Sequence, residues 1–302
     1  MQETTNDPET LDDLSRKLAV DLRKHVRRLE AYATFSRDWI AMVDSLVHIS
    51  NIAQMEHRLP RSGDGTLWEG DELTVRFLLE EGKLNLCLRL MHEFCRRMEG
   101  LLQAPERYAA FLAETAAAAE LPDTGTLEQR LLTFEQGMGV LLRCAFEHVE
   151  AVQTTDLPEL FQHAAEVLAA ASRRPPEAVS LDRTQPAMVL RYTSAVLARI
   201  EHVGEDRVMP YVREHGLMGL VVGHLHTHAH ALKPDDLLAG ATFLARAIDT
   251  EAFEDGRGQF LDAEATGLLR DFRGLFLGEL TAEHEQRRLL RPLLDVVTRA
   301  GG

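Results

Sequence analysis

The feature that most restricts this chain is the step between its apolar residues, which is three or four positions from one end to the other. Leu11, Leu14, Leu18, Leu22, Val26 and Leu29 make one such stripe, preceded by Asn6-Asp7-Pro8, a helix cap with proline in the first turn. Such steps gather side chains on one face of an α-helix, whereas a half-buried strand needs alternation at every second residue. No sustained alternation rich in β-branched residues occurs. Aromatic residues make up only 6% of the chain while Leu and Ala are plentiful, a balance that favours helix over sheet. The chain is therefore expected to be all-α.

Turn formers divide the stripes. Ser36 or Asp38 opens a second helix carrying Trp39, Val43, Leu46 and Ile52, with Trp39 in phase with the core. The segment from Leu59 to Gly70 reads as a loop, and Trp68 within it either plugs the space beneath, the preferred expectation, or is offered to a partner. Helices are expected over 71–81, closed by Gly82, then over 83–102, 104–121, 127–145 and 157–172. Residues 173–186, with three prolines, read as a second loop. Further helices follow, separated near Gly204, Gly216, Lys233-Pro234, 251–258 and Gly278. With 302 residues, 45% of them hydrophobic, a large core is available. The expected organisation is one domain over 1–302, with loop breaks at 58–70 and 173–186.

One unit recurs. Phe77 to Leu88 (FLLEEGKLNLCL) can be laid over Tyr211 to Val222 (YVREHGLMGLVV), sharing an aromatic, an apolar residue, a glutamate, a glycine and matching apolar steps. A looser copy is Phe134 to Leu142 around Gly137, although the stripe from Leu127 to Ala145 passes through that glycine without losing phase. A short helix ending in a left-handed glycine, followed by a longer amphipathic helix, cannot bury its apolar face alone, so such units stack. Val208 to Ala247 reads as one complete unit: short helix, glycine turn, second helix, polar turn at Lys233-Pro234-Asp235, and a third helix.

In these residues the chain resembles armadillo-repeat proteins. The resemblance implies an irregular armadillo/HEAT-like α-solenoid of about ten to twelve helices. It also implies a protein–protein scaffold or adaptor, whose concave groove would be lined by Asp235 to Ile248 and equivalent helices, or whose end surface would bind. The nuclear-import members use regularly placed Trp and Asn along that groove. Here the only tryptophans are Trp39 and Trp68 and the only asparagines Asn6, Asn51 and Asn85, which argues against recognition of nuclear-localisation signals.

Chemistry-bearing motifs are few. A net charge of −15 repels nucleic acid and anionic membrane, and no run of ~18 uncharged apolar residues occurs. Cys87, Cys95 and Cys144 have no paired spacing and suit a reducing compartment. The acidic, polar start is neither a secretory signal nor a transit peptide. A cytoplasmic protein is expected, with a nuclear or cytoskeletal assembly as variants.

The run His224-Leu225-His226-Thr227-His228-Ala229-His230 offers His224/His228 or His226/His230 one helical turn apart, with Asp235 or Asp236 as a third metal ligand. This gives the alternative function, a helical metal-binding protein or enzyme. Two ligands one turn apart are a weak pattern, and the preferred expectation is solvated histidines near a helix C-terminus. Cys87 and Cys95, with His92 between them, lie ~12 Å apart along a helix, too far to share zinc. The basic cluster Arg23-Lys24-His25, Arg27 and Arg28 could touch an acidic partner, but Asp21 and Glu30 flank it and a solvated face is the preferred expectation, as for Arg96-Arg97 and Arg287-Arg288. Asp12-Asp13 and Asp235-Asp236 suit helix starts. No nucleophile-elbow, P-loop, dinucleotide or zinc-protease motif is present. The reading is no enzyme, no cofactor, no metal, and an unidentified protein partner, with membership of a larger complex open.

Overall fold

In the computed structural model, residues 17, 20–28, 43–49, 51–52, 71–80, 82–173, 180–228 and 234–251 are described. Among them every regular element is helical, as the apolar steps require. Residues 20–28 and 43–49 are helical and bury Leu22, Val26, Val43 and Leu46. The helices that follow are α1 (Asp71–Glu80), α2 (Leu84–Leu102), α3 (Pro105–Ala118), α4 (Thr124–Ala145), α5 (Val149–Thr154) and α6 (Leu157–Ser172). After them come α7 (Ser180–Leu197), α8 (Ile200–Val203), α9 (Glu205–Glu214), α10 (Leu217–His228) and α11 (Pro234–Glu251). Among the described residues no helix is long and apolar enough to cross a membrane.

The glycine turns form as their chemistry demands. Gly82 takes φ +62° and Gly216 φ +59°, the left-handed region open to a residue without Cβ. At the first of these, the Gly82 and Lys83 amides donate to the carbonyls of Leu79 and Leu78 at 3.0 and 2.7 Å, satisfying the last turn of α1. The looser echo differs: Gly137 lies buried inside the continuous α4, where the unbroken stripe overrides a single glycine. Aspartates cap two starts. Asp123 accepts from the Thr126 amide at 2.6 Å, and Asp156 from the Glu159 amide at 3.2 Å.

The expected loop over 173–186 is shorter than the prolines imply. Helix α7 already begins at Ser180 and carries Pro186 inside it. The reason is tertiary: Gln185 is buried and donates to Oε1 of the buried Glu135 on α4 at 2.7 Å, which holds this stretch helical against a neighbour. The short α5, between the 127–145 stripe and Asp156, has no separate stripe of its own and was not expected.

The helices pack in rows. Along one row α4 meets α7 and α7 meets α11; along another α2 meets α6 and α6 meets α10; α6 with α7, and α10 with α11, join the two. The short α5 meets α8. One apolar cluster runs from Leu22 to Ala247, so among the described residues no helix buries its face alone. Phe94 of α2 meets Phe134 of α4 edge-on at 4.6 Å, and Phe161 of α6 stacks on Tyr211 of α9 at 6.5 Å.

Polar clamps fix the offsets between successive helices. Asn85, at the start of α2, donates to the Thr154 carbonyl and accepts from the Asp156 amide, both at 3.0 Å. It thereby pins the turn between α5 and α6. Asn85→Ala should lower unfolding free energy by about 1–2 kcal/mol, because both backbone groups lose their partner. Urea denaturation measures this, with Asn85→Asp, which keeps only the acceptor, expected in between; equal stability of all three would count against the clamp.

Candidate functional site

The end of α4 with Glu147 beyond it, the outer face of α7 and the outer face of α11 enclose a cleft of about 430 Å³. Helical spacing positions its lining. Leu238, Thr242 and Arg246 recur every fourth residue on α11, and Arg191, Ser194, Ala195 and Ala198 share one face running out of α7. The buried Ser194, Ala195 and Ala239 supply a floor of small side chains. Among the described residues Arg143, Arg191, Arg199, Arg246 and Glu147 supply its charged side chains.

Two of these guanidinium groups are tied to backbone. Arg199 donates its Nε to the Glu147 carbonyl at 2.7 Å, and Arg246 donates Nη1 to the Ser194 carbonyl. Arg143 lies 3.4 Å from Glu147 one turn on. Burial, and then the like charge of Arg199, lower the Arg246 pKa below its ordinary value. A second cleft of about 650 Å³, between residues 44–48 and the start of α4, is internally balanced, since Asp44 and Arg130 on its walls pair at 3.5 Å.

A polar cluster sits between α2 and α6. Arg96 grips Glu166 through two bonds of 3.0 and 3.1 Å, His92 Nε2 lies 2.9 Å from the same carboxylate, and Gln162 donates to it at 3.0 Å. These contacts, led by the Arg96 bond, hold the Glu166 pKa at about 2. His163, one turn earlier on α6, is 1% exposed and packs its ring 4.5 Å from that of His92. Neither His163 nitrogen has a hydrogen-bond partner among the described residues. Burial first, and the neighbouring His92 second, push its pKa down to about 3, so the imidazole is neutral near pH 7. With Glu166 paired to Arg96 and the His163 imidazole neutral and enclosed, this cluster ties α2 to α6.

The residues singled out in the sequence fall differently. His224 is buried at 2% exposure rather than solvated, on a helix that packs against α6 and α11. The side chains of His226 and His228, and all of His230, lie outside the described residues, as do Trp39, Trp68, Asp12-Asp13 and Arg287-Arg288. Among the described residues no group of three potential ligands is placed to hold a metal ion. Cys87 and Cys95 are buried on one helix, and burial pushes the Cys87 thiol up to about 12, which makes it inert as a nucleophile near neutral pH.

In the basic cluster Arg23, Lys24, Arg27 and Arg28 are exposed as expected. His25 is not: it is buried, stacked on His48 at 4.4 Å, and its pKa is lowered by burial. The four cleft arginines escaped the sequence reading because they lie on helices far apart in the chain. Single arginines at 143, 191, 199 and 246 give no local pattern.

The described residues thus form an all-helical protein with an arginine-lined cleft crossing one row of its helices. No family model matches the chain, and neither a curated protein nor a solved structure matches it.

Proposed function

We propose that the protein is an interaction scaffold or adaptor, built as an irregular armadillo/HEAT-like α-solenoid, and that it holds a protein partner across the α4–α7–α11 row. The observation that carries this reading is the cleft itself, which crosses all three helices of that row. Two further features support it. The rows repeat one helical order, and the glycine turns at Gly82 and Gly216 open the longer helices α2 and α10 of the other row. Helix α11, which contributes one wall, contains the Asp235 to Ile248 segment expected to line a groove. The reading assigns no catalytic step and no cofactor. A cytoplasmic setting, with a nuclear or cytoskeletal assembly or a larger complex as variants, belongs to the same proposal.

A bulky side chain on the cleft wall tests it. The tagged full-length protein is expected to retain a partner in stoichiometric amount, and Ala198→Trp to reduce that retention at least about tenfold, a change of ~1.4 kcal/mol in binding. Circular dichroism and thermal melting check that the variant is folded. Absence of any stoichiometric partner, or retention unchanged by Ala198→Trp, would overturn the reading.

A further inference from the structure

We propose that the seam between α2 and α6 is an acid-sensitive joint, which parts locally when a proton enters the His92–His163 pair while the α4–α7–α11 row stays closed. Polar side chains line this seam along its length. Asn85, at the start of α2, holds the Thr154 carbonyl and the Asp156 amide just before α6. At the other end Arg173, just past α6, donates to Glu99 at 3.5 Å. The two helices therefore run side by side in the same direction. Between those clamps His92 and Arg96 of α2 meet Glu159 and Glu166 of α6. Asn85, His92, Arg96 and Glu99 recur at whole helical turns, which keeps them on one face of α2.

The His163 ring is enclosed within this seam. It is 1% exposed, its centroid lies 4.5 Å from that of His92, and neither nitrogen has a hydrogen-bond partner among the described residues. Leaving a buried donor and acceptor unbonded costs free energy, and a buried cation without a partner costs more. The imidazole therefore stays neutral in the closed seam, where burial first and His92 second hold its pKa at about 3. Glu166 of its own helix pulls the other way, and Arg96 of α2 opposes Glu166. Of the other helices packed on α6, α10 carries the buried His224, α9 carries Tyr211, whose ring stacks on Phe161, and α7 carries the buried Tyr192.

Parting the seam lets water reach both His163 nitrogens, and the imidazole then titrates near its ordinary 6.5. The closed seam refuses a proton that the parted one takes up, so acid favours parting. Between pH 7 and pH 5 this difference multiplies the parting equilibrium about 25-fold.

The histidines are distributed so that acid acts on one row. Helices α2, α6 and α10 carry His92, His163 and His224, whereas α4, α7 and α11 carry no histidine. The contact of α4 with α7 is closed by Gly139 against Met188 and by the buried bond from Gln185 to Glu135. The seam is the weaker place, since the Glu159 and Glu166 side chains are 29% and 33% exposed and its bonds lie near water. Phe94 joins α2 to Phe134 of α4 at a different interface, which parting of the seam need not break.

Hydrogen exchange of the full-length protein tests the proposal, read by mass spectrometry at pH 7, 6 and 5 and corrected for the intrinsic pH dependence of amide exchange. Peptides within 88–98 and 158–168 should lose protection about 25-fold between pH 7 and 5, with little response to low urea. Peptides within 136–144 and 187–196 should stay better protected and respond steeply to urea, as exchange through global unfolding requires. His163→Leu should abolish the fall at the seam, and His163→Gln serves if the leucine variant does not fold. His202→Gln, which replaces an exposed histidine on α8, should leave the fall at its parent value. Asn85→Ala should raise exchange at the seam by a similar factor at all three pH values, because it loosens the seam without altering the titrating ring. The proposal is overturned if protection at the seam does not change with pH, or if the fall survives replacement of His163. It is equally overturned if the seam peptides fall in step with those of α4 and α7 and with the same urea dependence, since one cooperative unfolding then explains both.

Discussion

Lowering the pH from 7 to 5 should remove about 2 kcal/mol from the stability of the folded state, with His163 as the principal source. Its pKa is held down at about 3 in the folded protein, by burial first and by His92 second, against the ordinary imidazole value of 6.5. A folded-state pKa below the unfolded one means that the unfolded chain takes up a proton the native state refuses. The contribution is therefore fully present above pH 6.5 and is lost progressively as pH falls toward 3.

The groups facing His163 across α2 and α6 are His92, Arg96 and Glu166, with Glu159 3.8 Å from His92 on its far side. Glu166 acts in a lower window. Its carboxyl is held at about 2 against 4.5, so its contribution is present above pH 4.5 and lost below it. His25, also lowered by burial, adds to the loss with the same sign as His163. Urea unfolding of the parent and of His163→Leu at pH 7, 6 and 5 checks this. The variant should lose most of the pH dependence across that range, and an undiminished dependence would show that His163 is not its source.

Gly139→Leu should destabilise the protein by about 3 kcal/mol or more through overpacking. Helices α4 and α7 form the most extensive pair among the described residues, and Gly139 lies buried where they approach. A Cβ built there would sit 2.5 Å from Cγ and 3.2 Å from Cβ of Met188. The second distance matters more, because Cβ moves only with the α7 backbone. Gly139→Ala gains about 1 kcal/mol of helix propensity, which the contact with Met188 is expected to exceed. A cycle with Met188→Ala separates the two effects. The alanine at 139 should be less harmful, or stabilising, once the methionine is truncated, and strict additivity in urea denaturation would refute the close approach.

Much of the element structure was legible from local signals. Gly82 and Gly216 mark helix ends because a left-handed φ excludes most other residues at that point, and Asp156-Leu157-Pro158 opens α6 where the cap and proline indicate. Local signals failed where a neighbour decided the outcome. Pro186 reads as the end of a loop, yet Gln185 bonding to Glu135 keeps the stretch helical. His224 and His25 read as solvated, yet helices packed over them remove them from water. The candidate site was the least legible part, since its four arginines come from three helices and the turn after α7.

By itself, then, the sequence determined that the chain is helical and where most helices begin and end, because spacing, caps and glycine φ act within a turn or two of the residues that carry them. The tertiary structure alone decided which faces meet, which polar groups are enclosed and which arginines converge on one cleft. Those properties depend on packing between residues tens of positions apart, and a periodicity within one helix says which face is buried without saying what covers it. The neutral His163, the close contact at Gly139 and the arginine-lined cleft are consequences of that packing.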